Sequence, residues 1–474
     1  MAYLQFLGAA GTVTGSKHLI NTARESGRGM QVLLDCGMFQ GHKEWRERNW
    51  QPLPIPAGSI DAVILTHAHI DHSGWLPRLV KEGFRGHIYC TSATRDLCGV
   101  LLPDSGHLQE EDAAFANKHR TSKHSPALPL YTMEEAEAAL RQLHPIAFFK
   151  EHQPGPELSF KFLRAAHILG SAMVELKLKL NGSTRTVLFT GDIGRVQTDD
   201  HTPGKVVSGQ PDIDNADILI MESTYGARKH PTGDVRPQMA ELITRTVERG
   251  GSVVVPAFAV ERTQKFLFLL KELMEDGLVP HVPVYADSPM AIKAVEIYLK
   301  HGEEYSPRAR QLIQRFGSPR DWPGFHFASR VEESKAINEL RYPAVIVSSN
   351  GMVSGGRILH HLMLRLPDPR NLVLFIGFQA PGTRGGIIKS GAPTVKIFGD
   401  VVPIRAQVAA LEHFSDHADT PELLRWLHTF DRQPHSTFLV HGEPPAAEAL
   451  REAITAEMKW KDVRVAAYLQ KVEL

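Results

Sequence analysis

The first third of the chain alternates short apolar runs with turn residues. YLQFLG, KHLINT and MQVLLDCG carry β-type apolar residues with glycine at the breaks, which predicts short strands. DAVILTHAHIDHSG is an apolar run ending abruptly in polar residues, the pattern of a buried strand that delivers side chains at its C-terminal end. Residues 92–116 and 132–143 have helical spacing, and Thr132 with Glu135 three positions on forms a capping-box pattern. VELKLKL, the pair Asn181-Gly182 and RTVLFTGD predict a hairpin.

From about Asn215 the texture changes. ADILIMES, GSVVVPAF, HVPVYADS, PAVIVSSNG and NLVLFIGF read as strands, with helices over 237–249 and 261–276. Strands alternating with helices of this length predict a mostly parallel, doubly wound sheet. Near Ile404 the short-strand texture returns and ends in TFLVHGE, a helix over 445–458 and VRVAAYL. The chain is expected to hold one α/β domain in two parts, 1–222 and 405–474, with a second α/β domain inserted over 223–404.

Composition narrows the function classes. Of 474 residues, 42% are apolar and 22% charged, which excludes disorder and collagen-like repeats. Cys36, Cys90 and Cys98 form no CxxC pair, and no apolar run approaches the ~18 residues of a membrane span. The N-terminal stretch lacks the basic and apolar regions of a signal peptide. A cytoplasmic, reducing location without membrane association is the expectation. Lys and Arg total 53 and so do Asp and Glu. This balance counts against a broad basic face for nucleic acid, though not against a local groove. The 24 histidines point towards a metal site of nitrogen and oxygen donors.

The sharpest motif is HAHIDH, with His67, His69, Asp71 and His72. At an extended strand end, positions i and i+2 project the same way, so His67 and His69 can chelate one ion. Where the chain turns into a helix near Ser73, Asp71 and His72 can face a second. Without thiolates the set suits Zn²⁺ best, with Mn²⁺ or Fe²⁺ also fitting.

This motif in this setting resembles the metallo-β-lactamase superfamily, whose fold is an αββα sandwich. The resemblance extends to Asp35 in LLDCG, supporting the ligands from behind, to His167 in AAHILGS and to Asp192 in LFTGDIG. It implies two Zn²⁺ per chain, one held by His67, His69 and His167, the other by Asp71 and His72, with Asp192 bridging. Three further segments are similar to the β-CASP ribonuclease subgroup: MESTYG with Glu222, HFSDHAD with His417, and LVHGE with His441, which completes the second metal site. Histidine at the last position is the form of the RNA-directed members.

The function implied is hydrolysis of RNA phosphodiester bonds by hydroxide activated between two metals, in a cleft between the two domains. Asp71, Glu222 and His417 form the catalytic set, His417 protonating the leaving oxygen while Glu222 holds its imidazole. Single-stranded RNA is the implied partner, the action endonucleolytic, 5′-exonucleolytic or both, and a homodimer is a possible assembly.

Ser349, Gly351 and Arg357 in SNGMVSGGR, with Arg262 and Arg384, are candidates for holding substrate phosphates. The same glycine-rich loop also reads as a tight connection, and Arg262 as a surface helix residue. His107, His230, His360 and His361 read as surface or packing residues. Gly386, His413 and Asp416 depart from the subgroup's pattern. Two other functions fit the superfamily: a small-molecule hydrolase for thioesters or lactones, and a catalytically inactive RNA-processing subunit. Glu222 and His417 speak against the first, the complete ligand set against the second.

Overall fold

The structure is a computed structural model that describes residues 1–22, 29–180, 182–195, 207, 209, 215–377, 379 and 382–474. The chain divides into two units, Met1–Val196 with Gly209–Lys229 and His417–Leu474, and Gln197–Ser208 with His230–Asp416.

The first unit contains two seven-stranded sheets. One runs in the order Lys471–Glu473, Tyr3–Phe6, His18–Asn21, Gln31–Leu34, Ala62–Ile64, His87–Cys90, Leu143–Pro145. Its first three pairings are antiparallel and its last three parallel. The other runs Val463–Val465, Ser436–Val440, Ile218–Glu222, Ser183–Phe189, Ala172–Leu180, Leu158–Arg164, His152–Gly155. Here the first three pairings are parallel and the rest antiparallel.

The alternation of side chains along the strands explains why the sheets stack. Val187, Phe189, Ile218 and Ile220 point into a core shared with Leu4, Phe6, Val32 and Ile64 of the opposite sheet. Their neighbours Leu188, Leu219 and Met221 point the other way and pack under Leu423, Leu427, Leu450 and Ile454. Those last four sit on helices Thr420–Leu427 and Pro444–Met458. Helices Leu76–Lys81, Ser92–His119 and Met133–Leu140 form the other outer layer, packed on one another. The result is the expected helix–sheet–sheet–helix sandwich. Thr132 and Glu135 form the capping box. Leu180 pairs with Ser183 as the hairpin requires, while Asn181 lies outside the described residues.

The second unit carries six strands in one parallel sheet, ordered Phe325–Phe327, Val284–Asp287, Val345–Ser348, Val253–Pro256, Leu372–Phe375, Gln407–Ala410. It is the doubly wound sheet that the strand–helix alternation predicts. Two strands sit differently from the change in texture. Ile218–Glu222 opens the alternating stretch yet belongs to the first unit, between Ser183–Phe189 and Ser436–Val440. Gln407–Ala410 lies beyond the change at Ile404 yet pairs with Leu372–Phe375, and the first unit resumes at His417. A short buried strand has the same apolar pattern in either sheet, so its partner is invisible locally. Among the described residues no helix is long and apolar enough to cross a membrane.

Candidate metal centre

The donor residues follow the C-terminal ends of strands in the first unit, Asp71 and His72 on the short helix Ile70–Ser73. His67 and His69 follow Ala62–Ile64, His167 follows Leu158–Arg164, Asp192 follows Ser183–Phe189 and His441 follows Ser436–Val440. Three of these exits, and that of Asp35 after Gln31–Leu34, use a left-handed residue to turn the chain across the sheet end. Asp35 has φ +59 and His441 φ +49, while Ala166 (φ +56) precedes His167 and Gly191 (φ +53) precedes Asp192. Asp and His tolerate this region better than most residues, and such backbone outliers gather at functional sites. Glycine is required where backbones nearly touch: a Cβ on Gly37 would stand 1.6 Å from the Asp71 carbonyl oxygen, and one on Gly194 1.6 Å from that of Ala166.

Two groups of donor atoms result, sharing Asp192. In the first, His67 Nε2 is 3.1 Å from His69 Nδ1, and His167 Nε2 is 3.3 Å from the same His69 atom. Asp192 Oδ2 stands 3.6 and 3.5 Å from His67 Nε2 and His167 Nε2. In the second, His72 Nε2 is 3.1 Å from His441 Nε2, which is 3.4 Å from Asp71 Oδ2. The other Asp192 oxygen, Oδ1, lies 3.3 Å from His72 Nε2. Donors 2.0–2.1 Å from a common ion in tetrahedral geometry stand about 3.3 Å apart, so both groups have the spacing of a metal's first shell. Asp192 Oδ1 is also buried without a donor in hydrogen-bonding geometry among the described residues, a costly state that a cation relieves. The residues therefore fit two divalent ions.

The surroundings prepare the donors. Asp35, fully buried, accepts from Ser16 Oγ and from Thr66 N and Oγ1. It also takes His72 Nδ1–H at 2.7 Å, which turns His72 Nε2 towards the second group. Thr66 Oγ1, having given its proton to Asp35, receives His67 Nδ1–H at 3.0 Å and leaves His67 Nε2 as the donor. Burial pushes the His67 imidazole well below its usual range, His72 adding to the effect, and lowers His69 as well. Burial opposes ionisation of Asp192 and Asp71. Yet His441 and His72 hold Asp192 well below the usual carboxylate range and bring Asp71 down to about 2. Neutral imidazoles and ionised carboxylates are the forms that bind cations. His72 differs: burial would lower it, but Asp192 and Asp35 outweigh burial and raise it well above its usual value. A metal must displace its proton.

Beside these groups stands a pair of different character. Glu222, the buried last residue of its strand, accepts from the backbone N–H of Ile193 and Thr224. His417 Nδ1 is 3.2 Å from Glu222 Oε2 and 4.0 Å from Asp192 Oδ2, and the Tyr225 ring lies 5.8 Å away. Burial lowers the His417 imidazole, but Glu222 outweighs it and raises it to about 9. Nδ1 faces the carboxylate, and Nε2 lies on the far side of the ring.

The structure thus brings together His67, His69, Asp71, His72, His167, Asp192, Glu222, His417 and His441, with Asp35 behind them. The phosphate candidates belong to the second unit. There Arg357 bonds Asp287 and the carbonyls of Ala328 and Ser329. Arg384 bonds the carbonyls of Lys396 and Ser354. Arg262 lies over the Phe258 ring with Asp416 at 3.7 Å. Ser349 Oγ donates to Ser288 Oγ, and Gly351 packs on Phe258. The N–H of Gly386 caps onto Thr383 Oγ1. His361 is buried on Asp287, while His107 and His360 are exposed. Sequence reasoning missed Thr66, Ser16 and Thr224, whose hydroxyl lies 3.1 Å from His441 Nδ1. Only the adjacency of Thr66 to HAHIDH signalled any of them.

Residues 30–256 match the β-lactamase superfamily domain, 263–388 the β-CASP domain, and 401–466 the Zn-dependent metallo-hydrolase RNA specificity domain. Ribonuclease TTHA0252 of Thermus thermophilus is 36% identical over 463 residues, 97% of each chain. The RNase J-like protein of Methanocaldococcus jannaschii is 30% identical over 99% of this chain and 98% of its own. Transcription termination factor FttA of Methanosarcina mazei is 31% identical over 99% of this chain and 71% of its own. A crystal structure of a protein of unknown function from Enterococcus faecalis V583 shares the fold along the whole of both chains, with TM-score 0.53 and 12% identity. On these matches, spread along the chain and joined to a full set of donors at the strand ends, the chain belongs to the β-CASP family of the metallo-β-lactamase superfamily.

Proposed function

We propose that this protein is a metal-dependent ribonuclease that hydrolyses phosphodiester bonds of single-stranded RNA, with two Zn²⁺ per chain. The observation that carries the reading is the His417–Glu222 pair beside two donor groups that share Asp192. The RNA specificity domain over 401–466 and the ribonuclease and RNase J-like relatives support RNA as the substrate.

His67, His69 and His167 would hold one ion and Asp71, His72 and His441 the other, with Asp192 shared between them. Metal ions in such a site supply a nucleophile from water near neutral pH and draw charge from a phosphoryl oxygen. The chain's own residues do the rest. His417 delivers the Nε2 proton to the departing 3′-oxygen, giving a 3′-hydroxyl and a 5′-phosphate. Glu222 keeps Nδ1–H engaged, so that the imidazole is aimed and protonated when the bond breaks. Asp71 orients the attacking water, and Asp35 and Thr66 fix the tautomers of His72 and His67.

Incubation of the metal-loaded protein with 5′-labelled single-stranded RNA tests the reading, with a thioester and a lactone run in parallel. RNA cleavage with the small esters untouched is expected. Turnover of a thioester or lactone with RNA left intact overturns it.

A further inference from the structure

The chain passes from the second unit to the first between Asp416 and His417, so the residue before the proposed proton donor is anchored in one unit and the donor itself in the other. Each anchor is specific. On the first unit's side, His417 bridges to Gly194 and Ala418 N–H donates to the Ile193 carbonyl at 2.8 Å. On the second unit's side, Leu411 N–H donates to the Phe375 carbonyl, and Phe414 is fully buried against the Phe266 ring. Asp416 is then seized by its side chain. Its carboxylate is only 5% exposed and bonds Lys265 Nζ, with Arg262 Nε at 3.7 Å.

Lys265 is itself 5% exposed and held by a second carboxylate, Glu261 Oε1, at 3.3 Å. Glu261 accepts from the Tyr298 hydroxyl and enters helix Arg262–Glu275 at φ +69, a backbone conformation that few side chains adopt. Burial works against charge on Lys265, but Asp416 and Glu261 keep its ammonium above the usual value. An apolar pair would fill this space with less desolvation, so a buried ion pair is weak evidence for a purely stabilising role. What it does supply is direction: the Asp416 carboxylate is drawn towards Lys265, with Arg262 on its other oxygen.

We propose that the Lys265–Asp416 pair is a positioning clamp for His417, fixing the residue from which the imidazole leans onto Glu222. Neither member touches a reacting atom. The proposal rests on the reading of His417 as proton donor, and the clamp depends on Asp416, one of the positions where this chain departs from its subgroup's pattern.

The test measures kcat and KM for labelled single-stranded RNA, together with the ¹⁵N signal of the His417 imidazole, identified by its loss in His417→Ala. Lys265→Met is expected to lower kcat about 10- to 100-fold with KM little changed, since a small misplacement of a reacting group costs that much. Lys265→Arg should restore most of the rate. In the His417→Ala background Lys265→Met should cost nothing further. The His417 signal should shift in Lys265→Met. If Lys265→Met fails to fold, Asp416→Asn, which keeps the shape and removes the charge, carries the same expectations. An equal kcat loss in the His417→Ala background, or a parental kcat with an unmoved His417 signal, overturns the clamp. A parent that leaves RNA intact while its His417 signal answers to Lys265→Met retains the clamp and rejects the ribonuclease reading.

Discussion

Asp192 divides its two oxygens between two donor groups, and Glu222 gives both of its oxygens to His417. These carboxylates differ in what they do to the neighbouring histidines. Glu222 acts on His417, the side chain that must carry a proton in the mechanism proposed here. Its charge raises the His417 imidazole, so the protonated fraction persists as pH rises and is lost only above the raised value of about 9. Removing that charge in Glu222→Gln moves the loss to lower pH. The alkaline limb of the kcat profile should therefore shift down in Glu222→Gln, with kcat at pH 8 reduced about 10- to 100-fold, in the range of a weakened general acid. An unmoved limb would detach Glu222 from His417. At this scale legibility was uneven. Four donors in six positions made HAHIDH plain, whereas His167, Asp192 and His441 acquire meaning only as an ordered set. Thr66, Thr224 and Lys265 are ordinary residues, and their roles arise from contacts that no local pattern encodes.

Among the elements, Ala62–Ile64, Ile218–Glu222 and the last residues of Ser183–Phe189 and Ser436–Val440 are buried on both faces, so these strand ends are held at fixed depth and direction. Ile218–Glu222 shows how: Ile218 and Ile220 enter the inter-sheet core, Leu219 and Met221 enter the cluster under helices Thr420–Leu427 and Pro444–Met458, and Glu222 emerges at the end. Leu219→Ala should cost about 2–5 kcal/mol in chemical denaturation, the range for emptying a well-packed leucine site. Lys179→Ala, on an exposed position of Ala172–Leu180, should stay within about 0.5 kcal/mol. Equal effects would mean that the outer cluster does not support the strand. Most of these elements were legible from apolar runs and their breaks. The helices Pro289–Lys300 and Pro307–Phe316 carried a start signal in serine followed by proline, at Ser288 and Ser306, which apolar spacing alone passes over.

For the molecule as a whole, the inserted parallel-sheet unit follows from where the hydrophobic period changes, while the αββα sandwich is what the family resemblance implies. The membership of Gln407–Ala410 does not follow from that change, because sheet order is decided by pairing across long separations in sequence. The zero formal charge also changes its meaning once the site is assembled. Asp71, Asp192 and Glu222 are drawn into the centre, where the two divalent cations proposed here would oppose them. Elemental analysis of the protein reconstituted with zinc should find close to two ions per chain, falling to about one in His441→Ala. Chelation should lower the melting temperature, since a cation that binds only the folded chain stabilises it. A protein that takes up no metal contradicts the whole assignment.

His417 lies outside both sets of proposed metal donors, which makes it the cleanest probe of what the centre does. The measurement is the cleavage rate of 5′-labelled single-stranded RNA by the parent and by His417→Ala, both loaded with zinc to the same content. The account predicts that the parent cuts and that His417→Ala, with its metals in place, is slower by about 10²- to 10⁴-fold. Equal rates for the two proteins would contradict it.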